Sequence, residues 1–85
     1  MFYVYILRNL KGRLYIGYTT DLRQRFRQHN DGLSIATKPY RPWKLLFYEA
    51  YISTKDAKRR EMYLKTAKGR TTIKTMLTDS LTKPL

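Results

Sequence analysis

Two tyrosine triplets near the N-terminus constrain the fold of this chain more than any other feature. Tyr3-Val4-Tyr5 is followed, after nine residues, by Tyr15-Ile16-Gly17. Both triplets lie in runs of β-branched and aromatic residues, 2–8 and 14–19, which are typical of strands. Asn9 to Gly12 predict the turn between them, where Gly12 can take a positive φ. The pattern therefore predicts a tight β-hairpin that carries a tyrosine on each strand.

The register of this hairpin decides whether the two tyrosines meet. Alternate residues of a strand share a face, so Tyr5 accompanies Tyr3, and Tyr15 accompanies Gly17. An odd number of loop residues places Tyr5 opposite Tyr15, whereas an even number places them on opposite faces of the sheet. In the first case Gly17 leaves a space beside the phenols that another group can approach. In either case the tyrosines also suit strands for packing alone.

A helix and then a loop are predicted after the hairpin. Thr20 and Asp21 can cap a helix that runs to about Asn30, and Gly32 can end it. Residues 33–43 contain two prolines and predict an extended loop without a regular element.

The second half of the chain predicts one strand and two helices. Residues 44–52 return to a strand pattern, and Ser53-x-x-Asp56 resembles a capping box that opens a helix through about Ala67. Gly69 is expected to break this helix, and a short helix follows over residues 70–78.

These elements define the expected fold class. The order β-β-α-β-α-α predicts an α+β fold, in which a small three-stranded, mostly antiparallel sheet is flanked by helices. The 85 residues predict a single domain, residues 1–85, with an ordered core of about 2–78 and a frayed C-terminal tail, 79–85.

The charge of the chain points to a polyanionic partner. Eighteen Lys and Arg against six Asp and Glu give a formal charge of +12. Such a field attracts nucleic acid, DNA or RNA, because phosphate neutralisation releases counterions. Ribosome association, solubility and acidic membrane surfaces are the alternatives. No cysteine is present, so thiolate metal sites are excluded. Without a leader pattern or a long apolar run, we expect no membrane span and a cytoplasmic protein, nucleoid-associated in a bacterium.

Three polar residues stand out on the predicted helices. Arg25 and His29 are four residues apart and therefore share one face of the first helix. Glu61 falls at the edge of the apolar stripe of the second helix, where a desolvated acid needs a cation or a metal. The simpler alternative for Glu61 is an ion pair with Lys65, one helical turn away.

Taken together, these segments resemble the GIY-YIG nuclease superfamily. The resemblance rests on YVY-x9-YIG, Arg25, His29 and Arg60-Glu61 followed by Leu64-Lys65, and it spans residues 2 to roughly 78. It is strongest to short stand-alone members related to the cleavage domain of the bacterial excision-repair nuclease. The resemblance implies a divalent-metal-dependent endonuclease that hydrolyses DNA and leaves a 5′-phosphate, with a role in repair or recombination.

The resemblance also implies roles for five catalytic residues. Tyr5 and Tyr15 activate and position the attacking water, in an order that the sequence leaves open. Arg25 stabilises charge on the scissile phosphate with His29 as its helper, and Glu61 binds a single Mg²⁺ or Mn²⁺. Because a free phenol has a pKa of about 10, we expect Arg25, the metal and the positive field to lower the pKa of the tyrosines.

One departure from the family pattern keeps a second function open. The family site usually ends with an asparagine after the acid, but no asparagine follows Asn30 here. This favours the alternative of a catalytically weak or inactive nucleic-acid-binding module. A third hypothesis is a domain that acts only within a larger repair complex, whose partner supplies sequence specificity.

Ten further cations are candidates for nucleic-acid contacts. They are Arg23, Arg27, Lys38, Arg41, Lys44, Lys58, Arg59, Lys65, Lys68 and Arg70. Cations of this kind contact the phosphate backbone and position a protein without reading sequence. The loop around Trp43 either stacks a displaced base or packs its indole on the domain's own core.

Overall fold

The computed structural model describes residues 1–84, which form a three-stranded antiparallel sheet with helices on both faces. The strands are β1 (Phe2–Asn9), β2 (Leu14–Thr19) and β3 (Trp43–Tyr51), in the order β2-β1-β3. Both neighbouring pairs are antiparallel, so the predicted fold class is confirmed.

A three-residue loop, Leu10-Lys11-Gly12, closes the hairpin of β1 and β2. The Asn9 amide donates to the Arg13 carbonyl at 3.0 Å, and Gly12 takes the expected positive φ of 82°. The Asn9 side chain stabilises the loop, because its Oδ1 accepts the amides of Lys11 and Arg13 at 3.1 and 2.8 Å. The number of loop residues is therefore odd, and this settles the register.

The odd loop places both tyrosines on one face of the sheet, as one of the two alternatives predicts. Tyr5 lies opposite Gly17, and Tyr15 lies opposite Leu7. The expectation that an odd loop places Tyr5 directly opposite Tyr15 is therefore wrong, and the two phenols are diagonal neighbours on the same face. Diagonal positions on one face of a strand pair are still within reach of aromatic rings.

The helices divide between the two faces of the sheet. Helix α1 (Leu22–Asn30) covers the face of Tyr5 and Leu7, with Leu22 and Phe26 turned toward that core. The face of Val4 and Ile6 packs against α2 (Thr54–Leu64), α3 (Ala67–Met76) and α4 (Thr78–Thr82). None of the helices in residues 1–84 is long and apolar enough to cross a membrane.

Helix α1 begins and ends as its sequence predicts. The Asp21 side chain accepts the amide of Gln24 at 3.1 Å and caps the N-terminus. Asp31 follows the last turn, and Gly32 takes a positive φ of 79° just beyond it. A positive φ immediately after a helix is the usual conformation of a terminating glycine.

The loop between α1 and β3 is more regular than predicted. Lys38–Tyr40 form a single 3₁₀ turn, where we expected no regular element. Trp43 is buried, and its indole N–H donates to the Thr37 carbonyl at 3.0 Å. The alternative in which Trp43 packs on the core is therefore confirmed, and its indole is not available to stack on a base.

The prediction for the second helical region was wrong at two points. Helix α2 ends at Leu64 rather than near Ala67, and Gly69 lies inside α3 instead of breaking a helix. A Cβ on Gly69 would collide with the Tyr63 carbonyl and the Leu64 backbone. Gly69 is thus required by the close approach of α3 to the end of α2, a tertiary contact that local patterns do not report.

Two terminal features also differ from expectation. Ser53 occupies the N-cap position of α2, but its side chain makes no capping hydrogen bond, so the predicted capping box does not form. The tail expected from residue 79 is helical through Thr82, and Leu81 packs against the core. The Arg8 guanidinium binds this segment by donating to the carbonyl of Lys83 at 2.8 Å.

Candidate active site

Three rings meet on the hairpin face that α1 covers. The ring centroids of Tyr5 and Tyr15 lie 6.5 Å apart, and His29 reaches over both from α1. The imidazole centroid is 5.7 Å from that of Tyr5 and 5.1 Å from that of Tyr15, with edge-on geometry in each case. The structure therefore brings together both tyrosines and the histidine that the sequence singles out.

Gly17 on β2 is the residue against which the ring of Tyr5 packs. A Cβ at position 17 would collide with Cζ and Oη of Tyr5, so the phenol lies directly across the glycine backbone. The space that we expected beside the phenols is thus filled by the ring of Tyr5 itself. Any side chain at this position would displace the Tyr5 hydroxyl from the cluster.

A chain of buried hydrogen bonds runs from Tyr5 through His29 into the loop. The Tyr5 hydroxyl is 2.7 Å from Nε2 of His29, and Nδ1 of His29 is 2.7 Å from Oγ1 of Thr37. The Thr37 hydroxyl in turn donates to the Ser34 carbonyl at 3.4 Å. Because Thr37 donates onward, it accepts Nδ1–H of His29, which leaves Nε2 as the acceptor for Tyr5 O–H.

The titration of His29 agrees with this arrangement. Burial, and next the positive charge of Arg25, lower the pKa of His29 to about 4. The imidazole is therefore neutral at pH 7, with one ring nitrogen as donor and the other as acceptor. Thr37 determines which ring nitrogen donates and which accepts. No pattern in the sequence singles out this threonine, because its role requires the loop to fold against α1.

The expected lowering of the tyrosine pKa is wrong for Tyr5. Burial raises the pKa of Tyr5 to about 12, although Arg25 opposes the shift by favouring the phenolate. The side chain is only 1% exposed, so loss of hydration outweighs the guanidinium charge. Tyr5 therefore stays protonated and donates to His29, whereas Tyr15 is the half-buried phenol of the pair.

Arg25 and Glu61 both act on the Tyr5 phenol from different helices. Besides burial, the pKa of Tyr5 responds to Arg25 on α1, to Tyr15 on β2 and to Glu61 on α2. Direct contacts join Tyr5 to His29 and to Tyr15, whereas Arg25 and Glu61 act on the phenol through their charge. The half-buried Arg25 guanidinium also donates to Oε1 of Gln28 at 3.1 Å, which orients it along α1.

The simpler alternative for Glu61 is also realised. Its Oε2 accepts from Nζ of Lys65 at 2.9 Å, one turn along α2. The Glu61 side chain is 20% exposed and that of Lys65 is 50% exposed, so this pair borders solvent. A pair in this setting contributes little to stability, about 0–1 kcal/mol, and leaves the carboxylate free to exchange partners.

The donor set fits a single hard cation. Among residues 1–84 no group of three or more His, Cys, Asp or Glu side chains is positioned to hold a metal. A carboxylate at the solvent boundary suits Mg²⁺, which retains several waters and binds through one or two carboxylates plus substrate phosphate. Glu61 is the carboxylate that would hold it.

Another acid–cation pair has a structural role. Glu49 on β3 binds Arg60 on α2 through two hydrogen bonds, at 2.9 and 3.2 Å, and accepts from Tyr51 at 2.6 Å. Burial and the bond to Glu49 raise the pKa of Tyr51 to about 12, and the same carboxylate raises the pKa of Arg60. Arg60, the neighbour of Glu61 in sequence, therefore joins α2 to the sheet. Its guanidinium is bound by Glu49 and is not a free cation beside the phenols of the tyrosine cluster.

The ten cations predicted to contact nucleic acid are all exposed. Arg23 and Arg27 lie on α1, whereas four of the others lie on α2 and α3, which cover the opposite face of the sheet. The remaining four lie just after α2, in the loop before β3 and in β3: Lys65, Lys38, Arg41 and Lys44. Some are already engaged, such as Arg59 with Asp56 at 3.0 Å and Lys58 over the ring of Tyr18 at 5.2 Å. The cations are thus distributed over α1, the region of the loop before β3, and α2 with α3, rather than gathered on one helix face.

The fold and the tyrosine hairpin define a class of nuclease-type domain. The family described as "GIY-YIG catalytic domain" matches residues 1–74, nearly the whole chain. The chain therefore belongs to the GIY-YIG family.

Its relatives are small stand-alone proteins. A UPF0213 protein of Streptococcus agalactiae is 42% identical over 64 residues, 74% of this chain and 73% of the relative. A UPF0213 protein of Streptococcus pyogenes is 41% identical over 69 residues, 80% of this chain and 75% of the relative. The solution NMR structure of a UPF0213 protein from Bacillus halodurans matches with a TM-score of 0.58 and 30% identity, covering 98% of this chain and 96% of that one.

Proposed function

We propose that this protein is a divalent-metal-dependent endonuclease that hydrolyses DNA phosphodiester bonds. The observation that carries the proposal is the cluster of the buried phenol of Tyr5 with Tyr15 and His29, whose electrostatics also include the charges of Arg25 and Glu61. Family membership supports a nuclease-type activity, and the charge of +12 supports a polyanionic substrate.

In the proposed mechanism, Arg25 binds the scissile phosphate. A guanidinium offers a planar fork of donors that matches two phosphate oxygens. Its positive charge is already in position before the reaction begins. The half-buried position of Arg25 strengthens this interaction, because fewer water dipoles screen it.

The two tyrosines take different roles in the proposal. Tyr5, whose pKa burial raises to about 12, is a donor held by His29 and orients the cluster. Tyr15 is the phenol with access to solvent, so it positions the attacking water and, as its phenolate, accepts the proton of that water. The water oxygen bonds to phosphorus as the P–O3′ bond breaks, the 3′-oxygen takes a proton from solvent, and the cleaved strand carries a 5′-phosphate and a 3′-hydroxyl.

Glu61 would hold one Mg²⁺ or Mn²⁺. A cation bound there supplies Lewis-acid stabilisation of the charge on the phosphate oxygens. Lys65, which otherwise pairs with Glu61, is exposed and is able to turn to the DNA backbone when the carboxylate changes partner.

A nucleic-acid-binding module with little or no catalysis remains the second candidate. The observation in its favour is the Glu61–Lys65 pair, together with the lack of an asparagine after Asn30. This candidate predicts salt-dependent binding of DNA or RNA that chelation of divalent metals leaves unchanged. We also propose that the protein acts within a repair or recombination complex whose partner supplies sequence specificity, because contacts between exposed cations and the phosphate backbone position DNA without reading bases.

Nicking of supercoiled plasmid with Mg²⁺ or Mn²⁺ tests the proposal. We expect wild-type protein to nick and Glu61→Gln to lose the activity. Asp56→Asn, which removes an exposed acid of the same helix, is the matched control and should remain active. An absence of cleavage with every metal and DNA structure tried, or full activity in Glu61→Gln, would contradict the proposal and favour the binding module.

A further inference from the structure

A groove lies on the same sheet face as the tyrosine cluster, on the other side of α1. It has a volume of about 500 Å³ and is formed by Tyr3, Leu45 and Tyr48 of the sheet with Phe26 and Arg23 of α1. Tyr3 and Tyr48 meet edge to face, with ring centroids 6.2 Å apart. Tyr48 is 52% exposed and Leu45 is 38% exposed, so one aromatic and one aliphatic side chain face solvent in this groove.

Helix α1 separates this groove from the proposed catalytic cluster. Successive helical residues turn by about 100°, so Arg23 and Arg25 lie about 200° apart, on opposite flanks. Arg25 faces the tyrosine cluster, and Arg23 lines the groove. The helix is about 10–12 Å wide with its side chains, which corresponds to about three base steps at a duplex rise of 3.4 Å.

The chemistry of the groove suits an uncharged ring better than a phosphate. Its charged side chains, Asp21 and Arg23, are of opposite sign, and the Asp21 carboxylate is held by the amide of Gln24. The volume lies within the roughly 300–1,000 Å³ of sites that hold small ligands, rather than extended protein interfaces. Exposed aromatic rings are the surfaces on which unpaired bases stack.

We infer that this groove holds an unpaired nucleobase of the DNA strand whose phosphate lies at Arg25. The inference rests on the proposed function and deepens it, because it names DNA with unpaired bases near the scissile bond as the substrate class. The strand is drawn to this face by the chain's charge of +12, and its base stacks on Tyr48 against Tyr3. Arg23, exposed at the groove, contacts the backbone of the same nucleotide.

Binding measured in EDTA tests this inference separately from cleavage. Duplexes with a blunt end or with a single-stranded overhang, carrying 2-aminopurine in the overhang, are titrated with wild-type protein and variants. We expect Tyr48→Ala to weaken overhang binding by about 5-fold to 150-fold, the effect of removing a stacking aromatic. Blunt duplex binding should change less than twofold, and 2-aminopurine quenching should disappear.

Two further variants make the test specific. Tyr48→Phe keeps the ring and should bind the overhang within about twofold of wild type, since stacking does not use the hydroxyl. Tyr63→Ala removes a tyrosine of similar exposure, 38%, from α2 on the other face of the sheet, and should behave as wild type. Melting temperatures of all variants establish that each is folded.

The outcomes distinguish this inference from the proposed function. Unchanged overhang binding in Tyr48→Ala, or a dimer that Tyr48→Ala converts to a monomer, overturns the base site. Selective loss of overhang binding supports it even if the wild-type protein cleaves nothing, a result that would overturn only the proposed hydrolysis. Cleavage lost in Glu61→Gln with no effect of Tyr48→Ala supports the nuclease and overturns the groove.

Discussion

The two faces of the sheet are built from different chemistry although they share the same three strands. The face under α2 and α3 is aliphatic, with Val4, Ile6 and Leu64 at its centre. The face under α1 is aromatic and polar, and it buries a histidine and a threonine that are joined by hydrogen bonds. One face therefore supplies hydrophobic stabilisation, and the other holds polar groups in a single arrangement.

This contrast follows from what each face can satisfy. Aliphatic side chains need only close packing, so their contribution to stability grows with the apolar area they bury. Buried polar groups need partners, and the chain Tyr5–His29–Thr37–Ser34 provides one for each of them. Among residues 1–84 no buried side-chain nitrogen or oxygen lacks a hydrogen-bond partner. Removing one link of the polar chain should therefore leave a buried polar group without a partner.

The largest expected effect on stability lies on the aliphatic face. Leu64→Ala should lower the free energy of unfolding by about 2–5 kcal/mol, because it leaves a cavity between α2 and the sheet. Met62→Ala, at a 70% exposed position of the same helix, is the control and should change it little. Urea denaturation measures both, and equal stabilities for the two variants would contradict the division between the faces.

On the polar face the largest effect should be on activity. Arg25→Ala should reduce DNA cleavage about 100-fold to 1,000-fold, which is typical of removing one donor to a reacting oxyanion. Arg25→Lys should recover only part of the rate, because an ammonium lacks the two-pronged geometry. Single-turnover cleavage at saturating DNA separates this effect from binding. A rate for Arg25→Lys equal to wild type would show that charge alone suffices.

Lowering the pH should destabilise the folded protein through His29 on the polar face. His29 is the single histidine of the chain, and its pKa falls from an ordinary 6.5 to about 4 in the folded state. Between these values the unfolded chain binds a proton that the folded chain does not. The contribution of His29 to stability is therefore complete above pH 6.5 and is lost as pH falls toward 4. Because a shift of one pKa unit corresponds to about 1.4 kcal/mol, the loss in the free energy of unfolding is up to about 3 kcal/mol.

Urea denaturation at pH 7.5 and pH 4.5 measures this loss. Comparison with His29→Gln isolates it from the titration of carboxylates, since the variant should lose less stability over the same interval. Equal losses in the two proteins would mean that His29 is not held neutral.

The smallest effect concerns the positioning of His29 by Thr37. Thr37→Val keeps the side-chain shape but removes the acceptor for Nδ1–H, which should lower the free energy of unfolding by about 1–3 kcal/mol. Thr37→Ser retains the hydroxyl and should retain most of the stability. ¹⁵N NMR of the imidazole reports the tautomer directly, and we expect Nδ1–H in wild type and Thr37→Ser. Nε2–H in wild-type protein would contradict the assigned direction of the hydrogen-bond chain.

Much of the fold is predictable because its signals are local. Turn chemistry at Asn9 to Gly12 and strand patterns on both sides identify the hairpin, and the structure confirms it. The capping residue Asp21 and the glycine at position 32 define α1 correctly. Errors occur at Gly69, which packs against the end of the preceding helix, and in the loop before β3, where Lys38–Tyr40 form a 3₁₀ turn.

The candidate site divides in the same way. The sequence determined that Tyr5 and Tyr15 lie on one hairpin, and that Arg25 and His29 share one helix face, because residues four apart along a helix lie on the same side. The structure decided the register that places the two tyrosines on one face of the sheet. Only the tertiary structure decided that Tyr5 lies across Gly17, that Thr37 meets His29, and that Tyr5 is harder to ionise than a free phenol. Those outcomes depend on burial beneath segments far apart in the chain, and desolvation by such packing exceeds the charge effects that composition suggests.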